Sequence, residues 1–210
     1  MRMCPLCASS NPSPLHRERD RVFFLCPVCD LAFNDPATLP APDEEKSRYL
    51  THENTLEDEG YRKFLSAMHD AIVPYLDKAD RGLDYGSGTA PMLAKMLGES
   101  GFACRCYDPF FHVDESALSE TYDFIVTTET AEHFHHPGKE FATLKRLLRP
   151  GGHVGVMTQM LESWEDFPNW YYHRDPTHVA FYRRQTFEWL AARFGWQADF
   201  PRRHVVIFRG

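Results

Sequence analysis

The sequence predicts an α/β protein in which helices cover both faces of a mostly parallel β-sheet, preceded by a small cysteine-rich segment. Two observations support this prediction. From about residue 60 onward, short apolar segments alternate with segments whose apolar residues recur every three or four positions, and this alternation is typical of parallel strands joined by helices. Before residue 38 the chain has no long periodic segment but contains two Cys-x-x-Cys pairs.

Composition favours a globular protein, and six cysteines in a chain without an apolar leader segment favour reduced thiols and hence the cytoplasm. Of the 210 residues, 43% are hydrophobic and 25% are charged, which argues against a disordered chain. The 23 Lys and Arg against 30 Asp and Glu give a net charge of −7, which disfavours a surface built to bind nucleic acid or anionic lipid. We expect no membrane contact, because the sequence has neither a long apolar span nor an apolar leader segment.

The individual elements follow from the spacing of the apolar residues. A helix is predicted over residues 61–76, where apolar side chains recur on one helical face. Thr55 and Asp58 resemble a capping box before this helix, and Pro74 ends or kinks it. The later elements are predicted, in order, as strand 82–85, helix 91–97, strand 103–107, strand 123–127, helix 139–148, strand 153–157, a helix ended by Gly195 and strand 204–208. Together they predict a Rossmann-like, doubly wound sheet.

The N-terminal cysteines have the spacing of a zinc site. Two Cys-x-x-Cys pairs are separated by 18 residues, within the range found for zinc-binding segments. Two such turns supply four thiolates in a tetrahedral arrangement, which suits Zn²⁺ and leaves no open position for catalysis. We therefore expect one structural zinc ion in a zinc ribbon. Its expected ligands are Cys4, Cys7, Cys26 and Cys29.

The change in composition predicts two domains. Residues 1–37 would form the zinc-ribbon domain, and residues 38–47, which are rich in proline and charge, would form a linker. Residues 48–210 would form the α/β domain.

A glycine-rich turn follows the first strand of the α/β domain. Residues 83–91 read Leu-Asp-Tyr-Gly-Ser-Gly-Thr-Ala-Pro, and the glycines allow the backbone to approach a ligand closely. Asp108 lies twenty residues after Gly88, where a carboxylate can accept hydrogen bonds from ribose hydroxyls. A dinucleotide site is disfavoured, because Pro91 replaces its third glycine and Asp84 would repel a pyrophosphate. A ligand with a ribose and a cationic amino-acid tail, such as S-adenosylmethionine, fits better.

With these motifs the chain resembles class I S-adenosylmethionine-dependent methyltransferases of the methyltransferase-11/23 type. The matching segments are residues 83–91, 106–110, 122–137, 144–158 and 174–196. The resemblance implies that one set of residues binds the methionyl and ribose parts of the cofactor. Some of these residues would also line the methyl-transfer pocket. These cofactor-binding residues would be Asp84, Tyr85, Gly86, Ser87, Gly88, Asp108, Pro109, Phe110, Thr128 and Glu129.

The chain departs from the family pattern after Asp108. Only 13 residues separate Asp108 from Tyr122, where the family usually carries an extra strand and helix. Asp114 or Glu115 is therefore the candidate for the acidic residue that the family places beside adenine. A neighbouring phenylalanine would stack on the adenine ring or pack in the core; the candidates are Phe110 and Phe111.

The resemblance also suggests catalytic residues. Methyl transfer requires alignment of the acceptor with the methyl group and, for a protic acceptor, removal of a proton. Glu132 and His133 follow the strand that faces the methyl group, and His133 occupies the position of a frequent family histidine, so it is the first candidate for the base. His178 belongs to an Asp175-Pro-Thr-His element typical of the family. For both histidines the alternative is a structural role, in which the imidazole fixes its loop by hydrogen bonding.

An aromatic segment between the last predicted strands suggests the acceptor's character. Trp164, Trp170, Tyr171 and Tyr172 could form a wall for a flat or apolar small molecule. They could equally be the internal packing of a long loop.

The sequence thus predicts a methyltransferase acting on a small molecule, with three alternatives. An RNA methyltransferase could use the ribbon to hold RNA, although residues 1–37 have four arginines and four acidic residues and hence no net charge. Zinc-ribbon sugar C-methyltransferases resemble the chain but carry a large further C-terminal domain. A methyltransferase fold could also act only as a binding module, although such a module would not need the intact Asp84 and Asp108.

Overall fold

The computed structural model describes residues 3–51 and 54–210. The strands are β1 (Ser13–Glu18), β2 (Arg21–Leu25), β3 (Ala32–Asn34), β4 (Arg81–Tyr85), β5 (Ala103–Tyr107), β6 (Tyr122–Thr128), β7 (Leu148–Met157), β8 (Ala180–Phe181), β9 (Gln197–Arg202) and β10 (Val205–Arg209). The helices are α1 (Pro42–Tyr49), α2 (Glu59–Ile72), α3 (Met92–Glu99), α4 (Pro137–Leu147) and α5 (Arg184–Phe194). Within the described ranges, no helix is both long and apolar enough to cross a membrane. The cytoplasmic location stays a prediction.

The central sheet has the order β5-β4-β6-β7-β10-β9. β4 pairs in parallel with both β5 and β6, and β6 pairs in parallel with β7. β10 runs antiparallel to β7 and to β9. The chain leaves β4 first toward β5 and later returns on its other side to form β6, so the strand order reverses at β4. Such a reversal opens a crevice at the carboxyl ends of the strands.

Hydrophobic side chains fill both faces of this sheet, as predicted for a doubly wound fold. On β6, Phe124 and Val126 pack in the cluster that includes α2 and α3. Ile125 points to the opposite face and packs in the cluster that includes α4 and α5. Because alternate residues of one strand are fully buried on opposite faces, each face of β6 is covered by helices. The predicted α/β class is therefore confirmed.

Some elements differ from the predictions, whereas the end of α2 agrees with them. Asp58 itself caps α2, since its carboxylate accepts a hydrogen bond from the Tyr61 N–H at 2.9 Å, so the capping box with Thr55 was wrong. The helix ends at Ile72, and Pro74 lies in the 3₁₀ turn that follows, as predicted. β9 escaped prediction because it is largely exposed and carries a proline, so it has little apolar periodicity to recognise.

The segment between β5 and β6 is short, as the sequence indicates. It contains a 3₁₀ turn, Glu115–Ser119, and no further strand or helix. β5 therefore forms one edge of the central sheet.

The cysteine-rich segment forms a second, smaller sheet that reaches into the α/β domain. Its order is β1-β2-β3-β8, and β8 belongs to the C-terminal half of the chain. Arg21 on β2 donates hydrogen bonds to the backbone carbonyls of His173, Asp175 and His178 at 2.8, 3.0 and 2.6 Å. The segment is thus joined to a distant loop by strand pairing and by a partly buried cation.

Residues 38–47, expected to be a linker, include most of helix α1. The helix has proline at its start and three acidic residues in its first turn, both of which favour a helix N-terminus. The same composition also suits a linker, which explains why sequence analysis missed the helix. The domain boundaries at residues 37 and 48 stay a prediction.

The packing of β4 against β6 generates a stability prediction. The Phe124 ring lies directly over Gly82, so a Cβ there would be 2.1 Å from ring carbons. We expect Gly82→Ala to lower the free energy of unfolding by about 1–3 kcal/mol, because overpacking strains a filled core. Gly98→Ala is the matched control: nothing lies within 4 Å of its Cβ position in α3, so it should raise stability by about 0.5–1 kcal/mol. Urea unfolding measures both, and equal effects would contradict the packing argument.

Candidate active site and cysteine cluster

A cavity of about 930 Å³ lies at the carboxyl ends of β4, β5 and β6. Its walls come from the glycine turn after β4, the segment after β5, the segment after β6, helices α1 and α2, and the loop that precedes β8. The volume is at the upper end of the range of about 300–1,000 Å³ that is usual for small-molecule sites. The cavity therefore has room for a cofactor together with a small second ligand.

The glycine turn is held against the end of β5. The backbone N–H groups of Gly86 and Ser87 both donate to the Tyr107 carbonyl, at 2.8 and 3.1 Å. Gly86 has φ +81°, and a Cβ on it would be 2.2 Å from the Thr130 side chain. Gly88 has φ +64° and no atom within 4 Å of its Cβ position. The turn thus requires glycine, and beside Gly88 it leaves open space.

Asp84 is a buried carboxylate with an unused acceptor. Its side chain is 2% exposed, and Oδ1 has no hydrogen-bond partner. Burial, with a smaller contribution from the charge of Asp108, raises the pKa of Asp84 to about 7. A ligand cation placed here would satisfy the orphaned oxygen and stabilise the ionised form.

Asp108 fixes the segment after β5. Its Oδ2 accepts the Gly88 N–H at 2.9 Å, and its Oδ1 accepts the N–H groups of Phe110 and Phe111 at 2.8 and 3.1 Å. Since a carboxylate oxygen accepts two hydrogen bonds, Oδ2 keeps one acceptor position for a ligand. Pro109, Phe110 and Phe111 follow directly and line the cavity.

The remaining cofactor candidates divide into two groups. Ser87, Thr128 and Glu129 line the cavity, and the Ser87 hydroxyl is buried without a hydrogen-bond partner. Tyr85 is different: its hydroxyl donates to Glu140 on α4 at 2.5 Å, so this side chain joins β4 to α4 and its hydroxyl is already occupied.

The acidic residues suggested for the adenine side lie elsewhere. Asp114 pairs with Arg105 and accepts hydrogen bonds from Ser116, and neither Asp114 nor Glu115 lines the cavity. The suggestion was wrong, because the short segment forms the 3₁₀ turn Glu115–Ser119 capped by Asp114, and this turn lies outside the cavity lining.

The three catalytic candidates meet in the cavity although they come from two distant segments. One ring nitrogen each of His133 and His178 and one carboxylate oxygen of Glu132 lie within 4.8 Å of one another. His133 Nδ1 is 2.9 Å from the Thr177 carbonyl, and His178 Nδ1 is 2.7 Å from the Tyr172 carbonyl. Because carbonyl oxygens only accept, each Nδ1 must carry a hydrogen, and each Nε2 of the neutral ring is left as a proton acceptor.

Two carboxylates stand beside these imidazoles. Glu132 is fully buried and accepts hydrogen bonds from the hydroxyls of Tyr172 and Thr158, the latter at 2.8 Å. Burial and the charge of Glu132 raise the pKa of Glu129 to about 9, so Glu129 carries a proton at neutral pH. Burial lowers the pKa of His178, which keeps this imidazole neutral. The cluster therefore places a neutral His178 imidazole beside a protonated Glu129.

Helix α1 supplies site residues that sequence analysis missed. Tyr49 lies edge-on to His133, with ring centroids 5.1 Å apart, and 5.7 Å from the Phe110 ring. Arg48 pairs with Asp175 at 2.7 Å, and Glu45 contacts His135 at 3.0 Å. The helix thus spans the cavity from the cofactor candidates to the catalytic candidates. The helix-start signals at residues 42–45 could have revealed it.

The expected aromatic wall forms only in part. Tyr171 and Tyr172 line the cavity, whereas Trp164 and Trp170 do not. Both tryptophans pack against Phe167 outside the cavity. For these two residues, the interpretation as loop packing was the better one.

The four N-terminal cysteines converge on one point. Cys4 Sγ and Cys29 Sγ are 3.5 Å apart, as are Cys7 Sγ and Cys26 Sγ, and all four sulfurs lie within 4.8 Å of one another. Tetrahedral zinc with bonds of about 2.3 Å places its sulfur ligands about 3.8 Å apart.

The two cysteine turns also have matching backbone geometry. Each Cys-x-x-Cys turn closes with a backbone hydrogen bond from the residue after its second cysteine, Ala8 or Asp30. Both of these residues have positive φ. Two equivalent turns thus present four sulfurs whose spacing fits one zinc ion.

Comparison with known proteins agrees with this fold. The sequence model of the methyltransferase domain family matches residues 58–199, which is more than half of the chain. None of the curated proteins compared with the chain matches it.

Solved structures give the same result for the fold. A SAM-dependent methyltransferase from Archaeoglobus fulgidus is similar with a TM-score of 0.55 and 16% identity, over 71% of this chain and 94% of that chain. A Bacillus halodurans protein named as a methyltransferase gives a TM-score of 0.52 and 15% identity, over 65% and 67%. At such identities the likeness concerns the fold, and the family match supplies the membership. The chain belongs to the methyltransferase domain family and is a class I S-adenosylmethionine-dependent methyltransferase.

Proposed function

We propose that the protein transfers a methyl group from S-adenosylmethionine to a small-molecule acceptor in the cavity at the ends of β4, β5 and β6, and that its cysteine cluster holds one structural zinc ion. One observation carries the proposal. The orphaned Asp84 carboxylate and the imidazoles of His133 and His178 line the same cavity of about 930 Å³. A cation-binding group and a pair of proton acceptors are therefore available within one enclosure.

The residues on the β4 side fit the cofactor. Asp84 Oδ1 would accept a hydrogen bond from the ammonium of the methionyl part, and the open space beside Gly88 allows the ligand to approach the backbone. Asp108 Oδ2 would accept a ribose hydroxyl, and Phe110 and Phe111 offer aromatic faces for the adenine. When bound, S-adenosylmethionine supplies an electrophilic methyl group on a sulfonium.

The residues on the β6 side fit a protic acceptor. His133 Nε2 would take the acceptor's proton, while the bond from its Nδ1 to the Thr177 carbonyl fixes the ring and its tautomer. Protonated Glu129 would donate a hydrogen bond to the acceptor. Tyr49, Tyr171 and Tyr172 supply the aromatic surface for a flat or apolar body. The acceptor and the methyl group would thus be aligned in a largely enclosed site.

The zinc ion would stabilise the segment that supports the acceptor side. Four cysteine ligands leave no position for water or substrate, so the ion's role would be structural. The RNA alternative has less support, because the excess of acidic residues disfavours phosphate binding and the catalytic candidates lie inside a cavity of small-molecule size. The binding-module alternative predicts cofactor binding without turnover, and the second experiment below separates it from the proposal.

Asp84 should make cofactor binding depend on pH. Its ionised form attracts the ligand ammonium, and its pKa is raised to about 7. Affinity for S-adenosylmethionine should therefore rise as the pH increases from 5.5 to 7.5, by up to about tenfold per pH unit below 7, and then level off. Calorimetry measures this profile. In Asp84→Asn the affinity should be lower at pH 7.5, and the rise should be lost; a parent-like profile in this variant would contradict the assignment.

His133 should act on the chemical step. His133→Ala should lower turnover by roughly 10²–10⁴-fold, because the proton acceptor is lost, while cofactor affinity stays near that of the parent. His133→Asn is the sharper variant, since its amide N–H can still donate to the Thr177 carbonyl but it has no Nε2. Turnover is measured as release of S-adenosylhomocysteine with a panel of small phenols and amines.

The asparagine variant separates the two roles of His133. If His133 is the base, His133→Asn should lose as much turnover as His133→Ala. Recovery of parent turnover in His133→Asn would instead assign a loop-fixing role. Cofactor binding by the parent without any turnover across acceptor classes would favour the binding module.

The zinc site makes a structural prediction. Replacing Cys26 and Cys29 together by serine should remove one zinc per chain, as measured by elemental analysis of the purified protein. Hydrogen exchange should then quicken in the loop around Trp164, because Trp164 Nε1 donates to Asp30 Oδ1 at 2.9 Å in the second cysteine turn. The control is replacement of Cys104 and Cys106, which lie on β5, and it should leave the zinc content unchanged. A first variant with the same zinc content as the parent would refute the site.

A further inference from the structure

A second group of metal-ligand side chains lies where the cysteine-rich sheet meets the loop before β8. His16 and Glu18 come from β1, and His173 comes from the 3₁₀ turn Tyr171–Arg174. His16 Nε2 and His173 Nε2 are 3.6 and 3.8 Å from the same atom, Glu18 Oε2. The three ligand atoms lie within 4.8 Å of one another. None of these residues lines the active-site cavity or belongs to the cysteine cluster.

Backbone geometry brings the first two ligands together. Residues two apart on a strand share a face, so the His-x-Glu sequence on β1 directs both side chains to the same side. The register of β1 against β2 shifts between Pro14 and His16, as at a β-bulge, and such irregularities re-aim side chains. Across the contact, Arg21 holds the His173 carbonyl at 2.8 Å, which fixes the segment that carries the third ligand.

The burial of His173 is the independent observation that points to a ligand. Its side chain is fully buried, and neither ring nitrogen has a hydrogen-bond partner. His16 Nε2 is also buried without a hydrogen-bond partner. The ring lies among aromatic side chains, since His173 stacks on the Phe167 ring at 4.8 Å and meets the Phe23 ring edge-on at 5.4 Å. Buried polar atoms without partners destabilise the fold. A bound ion that accepts the lone pairs of these ring nitrogens would remove this destabilisation.

We propose that His16, Glu18 and His173 bind a divalent metal ion, which cross-links β1 to the loop before β8. Two imidazoles and one carboxylate favour a borderline ion such as Zn²⁺. Tetrahedral bonds of about 2.0–2.1 Å place the ligand atoms about 3.4 Å apart, so distances of 3.6 and 3.8 Å need only a small inward movement. Glu18 is partly exposed, and on its side water completes the coordination. Three ligands beside the positive charge of Arg21 bind more weakly than four thiolates.

The test counts metal ions in the untagged chain of 210 residues. After removal of bound metal with a chelator, Zn²⁺ alone is titrated and followed by calorimetry, with elemental analysis after gel filtration. We expect two equivalents per chain, one tight and one weaker. His173→Phe retains an aromatic ring in the packed site and removes both nitrogens, so it should lose the weaker equivalent. Glu18→Gln should weaken that equivalent at least about tenfold.

His153→Phe is the matched control. His153 is a half-buried histidine on β7 that packs against Tyr75 and belongs to neither ligand group, so this variant should keep both equivalents. Saturating Zn²⁺ should raise the melting temperature of the parent more than that of His173→Phe, because an ion bound only by the folded state stabilises it.

Titration with Co²⁺ separates the two sites without any substitution. Thiolate ligands give cobalt intense near-ultraviolet charge-transfer absorption, whereas imidazole and carboxylate ligands do not. The first equivalent should produce this absorption, and the second should bind without adding to it. A single equivalent in the parent would overturn the proposal. So would a second equivalent that persists unchanged in both His173→Phe and Glu18→Gln.

Discussion

The proposed acceptor side of the active site depends on one partly buried cation, Arg21. The Arg21 guanidinium donates to three backbone carbonyls of the segment 173–178, and the same segment carries His178 and the Thr177 carbonyl that orients His133. A long loop has few internal hydrogen bonds of its own, and ordering it costs much conformational entropy. By satisfying three carbonyls at once, Arg21 gives this loop a defined conformation beside the cavity.

This arrangement explains how a small cysteine-rich sheet can matter for a distant reaction. The sheet contributes no residue to the described cavity wall, yet β3 pairs with β8 and Asp30 accepts a hydrogen bond from Trp164. Aromatic rings from both parts form one buried cluster around Phe23, Phe167 and Phe181. A structural ion in the cysteine turns would therefore stabilise more than the turns themselves. It would limit the motion of the loop that completes the acceptor site.

Much of the α/β domain could be predicted from sequence because its signals are local. The apolar runs of β4, β6 and β7 and the periodicity of α2 identify these elements without any tertiary information. The glycines of the first turn are recognisable because the positive φ angles of a tight turn after a strand favour glycine. Asp84 and Asp108 then follow from their positions at strand ends, and parallel strands bring such ends together.

Other parts of the site were missed by sequence analysis, because their signals were weak or misleading. Helix α1 has the composition of a linker, and only its contacts with His133 and Asp175 across the cavity reveal its role. The sequence suggested that Trp164 and Trp170 line the substrate site, but in the structure both rings are packed against the cysteine-rich sheet and its neighbours.

The sequence by itself thus determined the fold class, the family, the cysteine spacing and the residues at the strand ends, because these depend on local conformation and periodicity. Tertiary structure alone decided that Glu132, His133 and His178 share one cluster, and that His16, Glu18 and His173 share another. In both clusters the members come from segments more than 40 residues apart, so only chain packing sets the distances between their ligand atoms.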